Sequence, residues 1–304
     1  MSVADVLAAH GLPAADLGEA PSSAKRFADG AAYRVEIPST EGPRCFEAIL
    51  EEAARLDVPI HRVSQGSGVE LLADAELEEF AELGRSNGVE VSLFARPNAA
   101  WGRSASARSA AGGTLAAAAW GMDQVAQQLA EIRRAADFGF RSVLIADIGV
   151  LRVFSALRAS GDLPPDMQAK VSVMLPAANP ASAQVFEELG ANTINVPVDL
   201  SVAQLAAIRA AIDVPLDVYV EAPDNLGGIV RMHEIAEIVR VASPVHVKFG
   251  LRNAPDLYPS GTHLEATAVA LSRERVRRAR IGLDRLAEFP TSPVPAPVAA
   301  LVAG

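Results

Sequence analysis

Short β-branched runs alternate with longer helix-period runs eight times along the chain, and few folds accept that order. Strand candidates are Tyr33–Ile37, Ile60–Val63, Glu90–Ala95, Ser142–Ala146, Lys170–Leu175, Thr193–Val196, Asp217–Val220 and His246–Phe249. Each precedes a helical pattern, from Phe46–Leu56 after the first to Thr262–Leu286 after the last. Strands in series, separated by helices, imply a parallel sheet with right-handed crossovers. Eight such units close a barrel, whose usual size is about 250 residues. The expected fold class is therefore α/β, a (β/α)8 TIM-type barrel forming a single domain over residues 32–289. A doubly wound sheet is the alternative, but no Gly-rich dinucleotide fingerprint follows the first strand.

The remaining segments lie outside the barrel pattern. Residues 1–31 form an N-terminal segment in which Val3–His10 is expected to be a short helix plugging the barrel bottom. Residues 290–304 read as a disordered Pro/Ala tail. From Glu90 to Ser142 the strand starts are 52 residues apart, against 30 or fewer elsewhere. The excess is the long loop after strand 3, Arg96–Gly121, which carries Trp101, Trp120, Arg103 and Arg108. Such a loop leaves the C-terminal rim of a barrel and is expected to be a lid or a binding loop.

Composition narrows the function classes. Half the residues are hydrophobic, enough for a full core. The 37 acidic residues outnumber the 27 basic ones, a net charge of -10, which argues against nucleic acid as a partner. The arginines of the last helix spread around it and read as a solvated face. The single cysteine, Cys45, excludes an internal disulfide framework and any cluster held by several of the chain's own thiolates. No targeting segment is visible and no window reaches the ~18 unbroken apolar residues of a membrane span. A cytoplasmic chain with a small-molecule substrate and no membrane partner is the expectation, and a homo-oligomer stays open.

Side chains alternate along a strand, so one parity faces the barrel centre and the other the helices. On the seventh strand Val218 and Val220 oppose Asp217, Tyr219 and Glu221. On the eighth, Val247 and Phe249 oppose His246 and Lys248. On the first, Val35 and Ile37 oppose Arg34 and Glu36. Helices demand the apolar parity outside, so Glu36, Tyr219, Glu221 and Lys248 are expected to point inward. Interior charge is costly unless paired. Lys248 is expected to find Glu221 on the adjacent strand, with Glu36 on the strand that closes the barrel. The C-terminal mouth should also receive Gln65, Arg96, Asp147, Asn195, Arg252 and Asn253. Convergent polar groups in a barrel mouth form the default active-site hypothesis.

A lysine among carboxylates in a dry pocket can shuttle a proton or form a Schiff base, because burial lowers its pKa. The expected catalytic residues are Lys248, Glu221 and Glu36. Arg96 and Arg252 would bind an anionic substrate, with Asn195 and Gln65 beside them. Gly227 and Gly228, opening the helix after the seventh strand, could offer backbone amides to a carboxylate or phosphate. This chemistry requires no cofactor; a Mg2+ or Mn2+ ion held by Glu36, Asp147 and Glu221 is the alternative. No Gly-x-Ser-x-Gly elbow appears, Cys45 reads as packing, and the five histidines show no zinc-ligand spacing.

One stretch carries a resemblance. Leu189-Gly190-Ala191-Asn192-Thr193-Ile194-Asn195-Val196-Pro197 is followed by Asp199-Leu200-Ser201 opening a helix, then by Leu216-Asp217-Val218-Tyr219-Val220-Glu221. That order resembles the barrel half of the peptidase U32 family, across Ala169–Leu251. The resemblance implies a TIM-like barrel, and activities such as proteolysis or cluster-dependent hydroxylation of RNA or quinone precursors. The family's cysteine-bearing signature after that strand is here Glu221-Ala222-Pro223-Asp224-Asn225-Leu226-Gly227-Gly228, with no cysteine. Neither the cluster-dependent roles nor a protease residue therefore transfers. The leading expectation is a U32-like metabolic enzyme using proton-transfer or lyase-type chemistry on a small polar, anionic molecule. A U32-type peptidase and a non-catalytic ligand-binding barrel are the alternatives.

Overall fold

The eight β-branched runs become eight short parallel strands that close on one another in chain order. The computed structural model describes residues 2–16, 20–96 and 118–289. Its strands are β1 (Tyr33–Pro38), β2 (Arg62–Ser64), β3 (Glu90–Phe94), β4 (Ser142–Ile145), β5 (Gln168–Val171), β6 (Thr193–Asn195), β7 (Leu216–Glu221) and β8 (Val245–Phe249). They form a closed barrel, β8 pairing with β1. The helices between and after them are α2 (Pro43–Leu56), α3 (Asp74–Asn87), α4 (Met122–Asp137), α5 (Ile148–Ser160), α6 (Pro180–Glu188), α7 (Val202–Ala211), α8 (Ile235–Ala242) and α9 (Glu265–Ala287). The expected (β/α)8 TIM-type fold is what forms. The loop from Arg96 lies outside the described residues over 97–117, and so does the tail 290–304; the lid and tail expectations fall there.

Strand parity decides where the core sits. Val35, Ile37, Val63, Leu93, Val143, Ile145, Val171, Ile194, Val218, Val247 and Phe249 are buried on the helix-facing side of their strands. Phe46, Phe80, Ile132, Phe154, Leu205, Ile238 and Val276 meet them from the helices, forming one continuous cluster. Packing is close enough to dictate a glycine: a Cβ on Gly282 of α9 would collide with the Phe249 ring. Local caps start the helices where the loops end. Asp147 accepts the Val150 N–H at 2.9 Å to begin α5, and Ser201 with Gln204 forms a capping box on α7.

Part of the N-terminal segment, residues 1–31, lies against the start of β8. The N-terminal helix, α1 (Val3–Ala9), forms and is capped by Ser2, but none of its residues is buried. The Phe27 ring instead meets His246 edge-on, with centroids 5.1 Å apart, and the Arg34 guanidinium lies 4.2 Å over Phe27. Among the described residues no helix is long and apolar enough to cross a membrane.

Candidate functional site

The inward parity of the strands carries charge from one side of the barrel to the other. Glu36 lies opposite Lys248 in the β1–β8 register and opposite Arg62 in the β1–β2 register. Asp217 lies opposite His246 and Asn195. Inside, Glu36 Oε1 accepts from Lys170 Nζ in a short ion pair and from Ser64 Oγ at 2.6 Å, and Lys248 Nζ stands 3.1 Å away. Arg62 Nη1 bridges Glu36 Oε2 at 3.2 Å and Asp217 at 3.1 Å, while its Nε lies 2.9 Å from Glu90. Asp217 also accepts from Thr193 Oγ1 at 2.9 Å and stands 2.9 Å from His246 Nδ1 and 3.5 Å from Lys170 Nζ. Lys248 Nζ donates to Asn195 Oδ1 at 2.5 Å, and the Asn195 amide donates to Val171 O at 2.7 Å, which fixes its orientation.

Three carboxylates therefore meet three cations: Glu36, Asp217 and Glu90 against Arg62, Lys170 and Lys248. The balance matters because an unpaired charge at this depth would cost several kcal/mol. Glu90 alone reaches appreciable solvent, its side chain being 25% exposed. Burial by itself would raise the Glu36 pKa, but Lys170, Lys248 and Arg62 more than offset it and hold the carboxyl well below the usual range. Burial opposes ionisation of Asp217 too, and Arg62 and Lys170 overcome it in the same way. Lys170 behaves oppositely. Burial, helped by the neighbouring Lys248 ammonium, lowers its pKa to about 8 although Glu36 and Asp217 pull upward. Burial and the Arg62 charge lower the pKa of His246, favouring its neutral form.

Toward the C-terminal mouth the lining turns apolar. The Tyr219 ring lies 4.5 Å from Lys248 Nζ and packs with Val198, Ala222, Val173, Leu226 and Ile229. Across the barrel Phe94 and Ala146 pack with Leu144 and Met174. The loop after β8 crosses the rim above β1 and β2. There the Tyr258 hydroxyl meets Ser39 Oγ at 2.5 Å, its ring fills the space a Cβ on Gly66 would need, and Ser260 N–H donates to Ser67 Oγ at 2.8 Å.

The expected site residues divide between these two regions. Lys248, Glu36 and Asn195 come together in the interior. Glu221 does not join them. A bulge after Tyr219 shifts the register, so Lys248 faces Tyr219 while Glu221 pairs with Phe249. Buried there, Glu221 accepts the Arg252 N–H at 3.0 Å and stands 3.7 Å from Arg278 of α9. The expected Lys248–Glu221 pairing is therefore corrected. The other expected residues brace rim loops. Arg96 donates to Gly66 O at 3.0 Å and stacks near Phe94 and Tyr258. Gln65 bonds both the N–H and the carbonyl of Gly68. The N–H groups of Gly227 and Gly228 donate to Asp224 O and Pro223 O within their own turn, each at 3.1 Å. Arg252 is exposed, 3.4 Å from Asp224. Glu36, Asp147 and Glu221 occupy three separate settings, and among the described residues no group of three or more His, Cys, Asp or Glu side chains could hold a metal ion.

The expectation missed Arg62, Lys170, Asp217 and Thr193 as members of the interior cluster. The signal was present. Lys170 opposes Ala169 and Val171, and Thr193 and Asn195 flank Ile194, the same alternation that placed Glu36 and Lys248 inward.

Comparison with known proteins adds a relationship to this geometry. Residues 116–222 match the model of Peptidase family U32, about a third of the chain. That range overlaps the stretch whose strand and helix order suggested the same family, and the barrel is U32-like there. No curated protein matches. Among solved structures, the U32 peptidase Mk0906 is similar at 19% identity, covering 68% of this chain and 74% of that one, with a TM-score of 0.40. The native KDPGal structure is similar at 12% identity over 85% of this chain and 99% of that one, with a TM-score of 0.45. The thiamine phosphate pyrophosphorylase from Pyrococcus furiosus is similar at 12% identity over 82% and 98%, with a TM-score of 0.43. None of the three reaches 0.5, so the fold rests on the closed barrel itself.

Proposed function

We propose, from a barrel that is U32-like over residues 116–222, an enzyme that uses the Lys248 amine for proton-transfer or lyase-type chemistry on a small polar, anionic carbonyl compound. One observation carries this reading: Lys248 Nζ is held between Asn195 Oδ1 and Glu36 Oε1 inside the barrel, with 3% of its side chain exposed. It lies two residues nearer the C-terminal end of β8 than His246, on the side where barrels of this type work. An amine so placed can add to a carbonyl carbon. The carbonyl oxygen leaves as water, and the resulting iminium draws electrons from an adjacent C–C or C–H bond. Glu36 orients the ammonium through their ion pair. Arg252, exposed beside the turn that ends at Gly228, is the cation available to a substrate carboxylate or phosphate at the rim.

Trapping the amine tests this without an identified substrate. Purified protein is incubated with small 2-oxo acids and aldehydes, reduced with borohydride and mapped by peptide mass. A stable adduct on Lys248, absent from Lys248→Met, is the expected result. Adducts confined to Lys25, or turnover of a true substrate surviving in Lys248→Met, would contradict the proposal.

The match to a peptidase family favours a second reading, hydrolysis of peptides. Peptide cleavage by the pure protein, lost on Glu221→Gln or on chelation and retained in Lys248→Met, would select it.

A further inference from the structure

Lys170 has no role in the chemistry so far. It is fully buried, on β5, across the barrel from Lys248 on β8. Yet the two amines meet one atom. Both Nζ groups lie within ion-pair distance of Glu36 Oε1, Lys248 at 3.1 Å and Lys170 closer still. Arg62 sits on the other oxygen of the same carboxylate. Glu90 pairs with Arg62 Nε, and Asp217 stands 3.5 Å from Lys170, so the two ammoniums crowd on one oxygen of Glu36. An arginine does not give up its proton in a protein, so any deprotonation that relieves this crowding falls on a lysine.

We propose that Lys170 is a positioning residue for Lys248, forming with it a proton-sharing lysine pair across the Glu36 carboxylate. The inference rests on the proposed role of Lys248. An ammonium cannot attack a carbonyl, and the proton it sheds needs a holder in the buried interior. Lys170 in its neutral form, which it takes up as pH rises through its midpoint, supplies that holder through Glu36 Oε1, and returns the proton when the carbonyl oxygen must leave as water. The groups facing the pair are Glu36 and Tyr219 around Lys248, with Asn195 as a neutral acceptor, and Glu36, Asp217, Arg62 and, farther off, Glu90 around Lys170. Protons are conserved throughout: what Lys248 loses, Lys170 gains.

The chain has only Lys25, Lys170 and Lys248, so protein labelled with 13Cε-lysine gives three assignable signals, and Lys25, paired with Asp213 at the surface, serves as the internal control. Titrating the full chain should place the Lys170 midpoint at about 8. In Lys248→Met the repulsion disappears and the Lys170 midpoint should rise by about one pH unit or more. In Lys248→Arg the charge persists and the midpoint should stay near its wild-type value. In Glu36→Gln it should fall. A Lys170 signal titrating together with Lys25, or unmoved in both Lys248→Met and Glu36→Gln, would overturn the inference. Should one of these variants fail to fold, the wild-type midpoint and the remaining variant still decide.

A second readout separates this inference from the function it rests on. In Lys170→Arg the holder is permanently charged and cannot accept the proton, so borohydride trapping at Lys248 should shift to higher pH by about one unit or more. Trapping at Lys248 with an unchanged pH profile would sink the role of Lys170 alone. Absence of trapping at Lys248 in the wild type, alongside a Lys170 midpoint that responds to Lys248→Met, would sink the carbonyl chemistry and leave the pair intact.

Discussion

The inside of the barrel and the loops of its C-terminal rim are both rich in polar side chains, but those side chains do different things. In the interior, charged groups from β1, β2, β5, β7 and β8 meet one another, with Glu36 and Asp217 as the hubs. At the rim, polar side chains bond mainly to backbone. Glu41 accepts from Gly66 N–H at 2.9 Å and Ser67 N–H at 3.1 Å, Arg96 donates to Gly66 O, and Arg275 donates to Ser39 O. The difference follows from what each region must satisfy. Loop backbone needs partners for its own N–H and C=O groups, whereas strand backbone is already paired in the barrel ladder. A polar side chain on a strand can therefore act on another side chain, and that freedom makes the interior the better place for chemistry.

Breaking the interior should cost most. Arg62 joins Glu36, Asp217 and Glu90, so Arg62→Met leaves buried carboxylates without their shared cation. About 3–5 kcal/mol of stability should disappear, read from urea unfolding. A loss below about 1 kcal/mol would mean that the interior charges do not depend on one another.

Acid titration sharpens the contrast next. Glu36 and Asp217 are held below the usual carboxylate range, so the stability they confer is present above the unfolded value of about 4 and is lost as pH falls through the folded values. Glu41 has the opposite sign. Burial raises its pKa, so the fold favours its neutral form, and its contribution weakens as pH rises past the unfolded value. Unfolding followed between pH 6 and pH 2 should show a steep acid loss in wild type and a shallower one in Glu36→Gln. Equal slopes in the two proteins would show that Glu36 is not the group being titrated.

Rim substitutions should do less. Tyr258→Phe removes one hydrogen bond to Ser39 and should cost about 1 kcal/mol. Arg252→Ala breaks only the exposed pair with Asp224 and should change stability by no more than about 0.5 kcal/mol. If Arg252→Ala nevertheless weakens binding of an anionic substrate, its role is recognition and not bracing.

Much of this division was legible in the sequence. Eight β-branched runs fix the barrel, and the alternation in β1, β7 and β8 correctly turns Glu36, Tyr219 and Lys248 inward. Legibility stopped short where strands are brief. β2 has three residues, too few for alternation to stand out, and it hides Arg62. Glu221 failed for another reason. Period-2 alternation holds only along an unbroken register, and the bulge after Tyr219 turns the next inward position toward the helices. The rim residues Gln65, Arg96, Gly227 and Gly228 were recognised as mouth positions. Their backbone partners depend on loop conformation, which no strand or helix period encodes.

The central claim is that the interior acids and lysines act as one coupled unit, and a double-mutant cycle tests it most directly. Unfolding free energies of wild type, Glu36→Gln, Lys248→Met and the double variant should give a coupling energy above about 1 kcal/mol, while the same cycle on Asp224 and Arg252 at the rim should give less than about 0.5 kcal/mol. Additive effects of Glu36→Gln and Lys248→Met, indistinguishable from those at the rim, would contradict it.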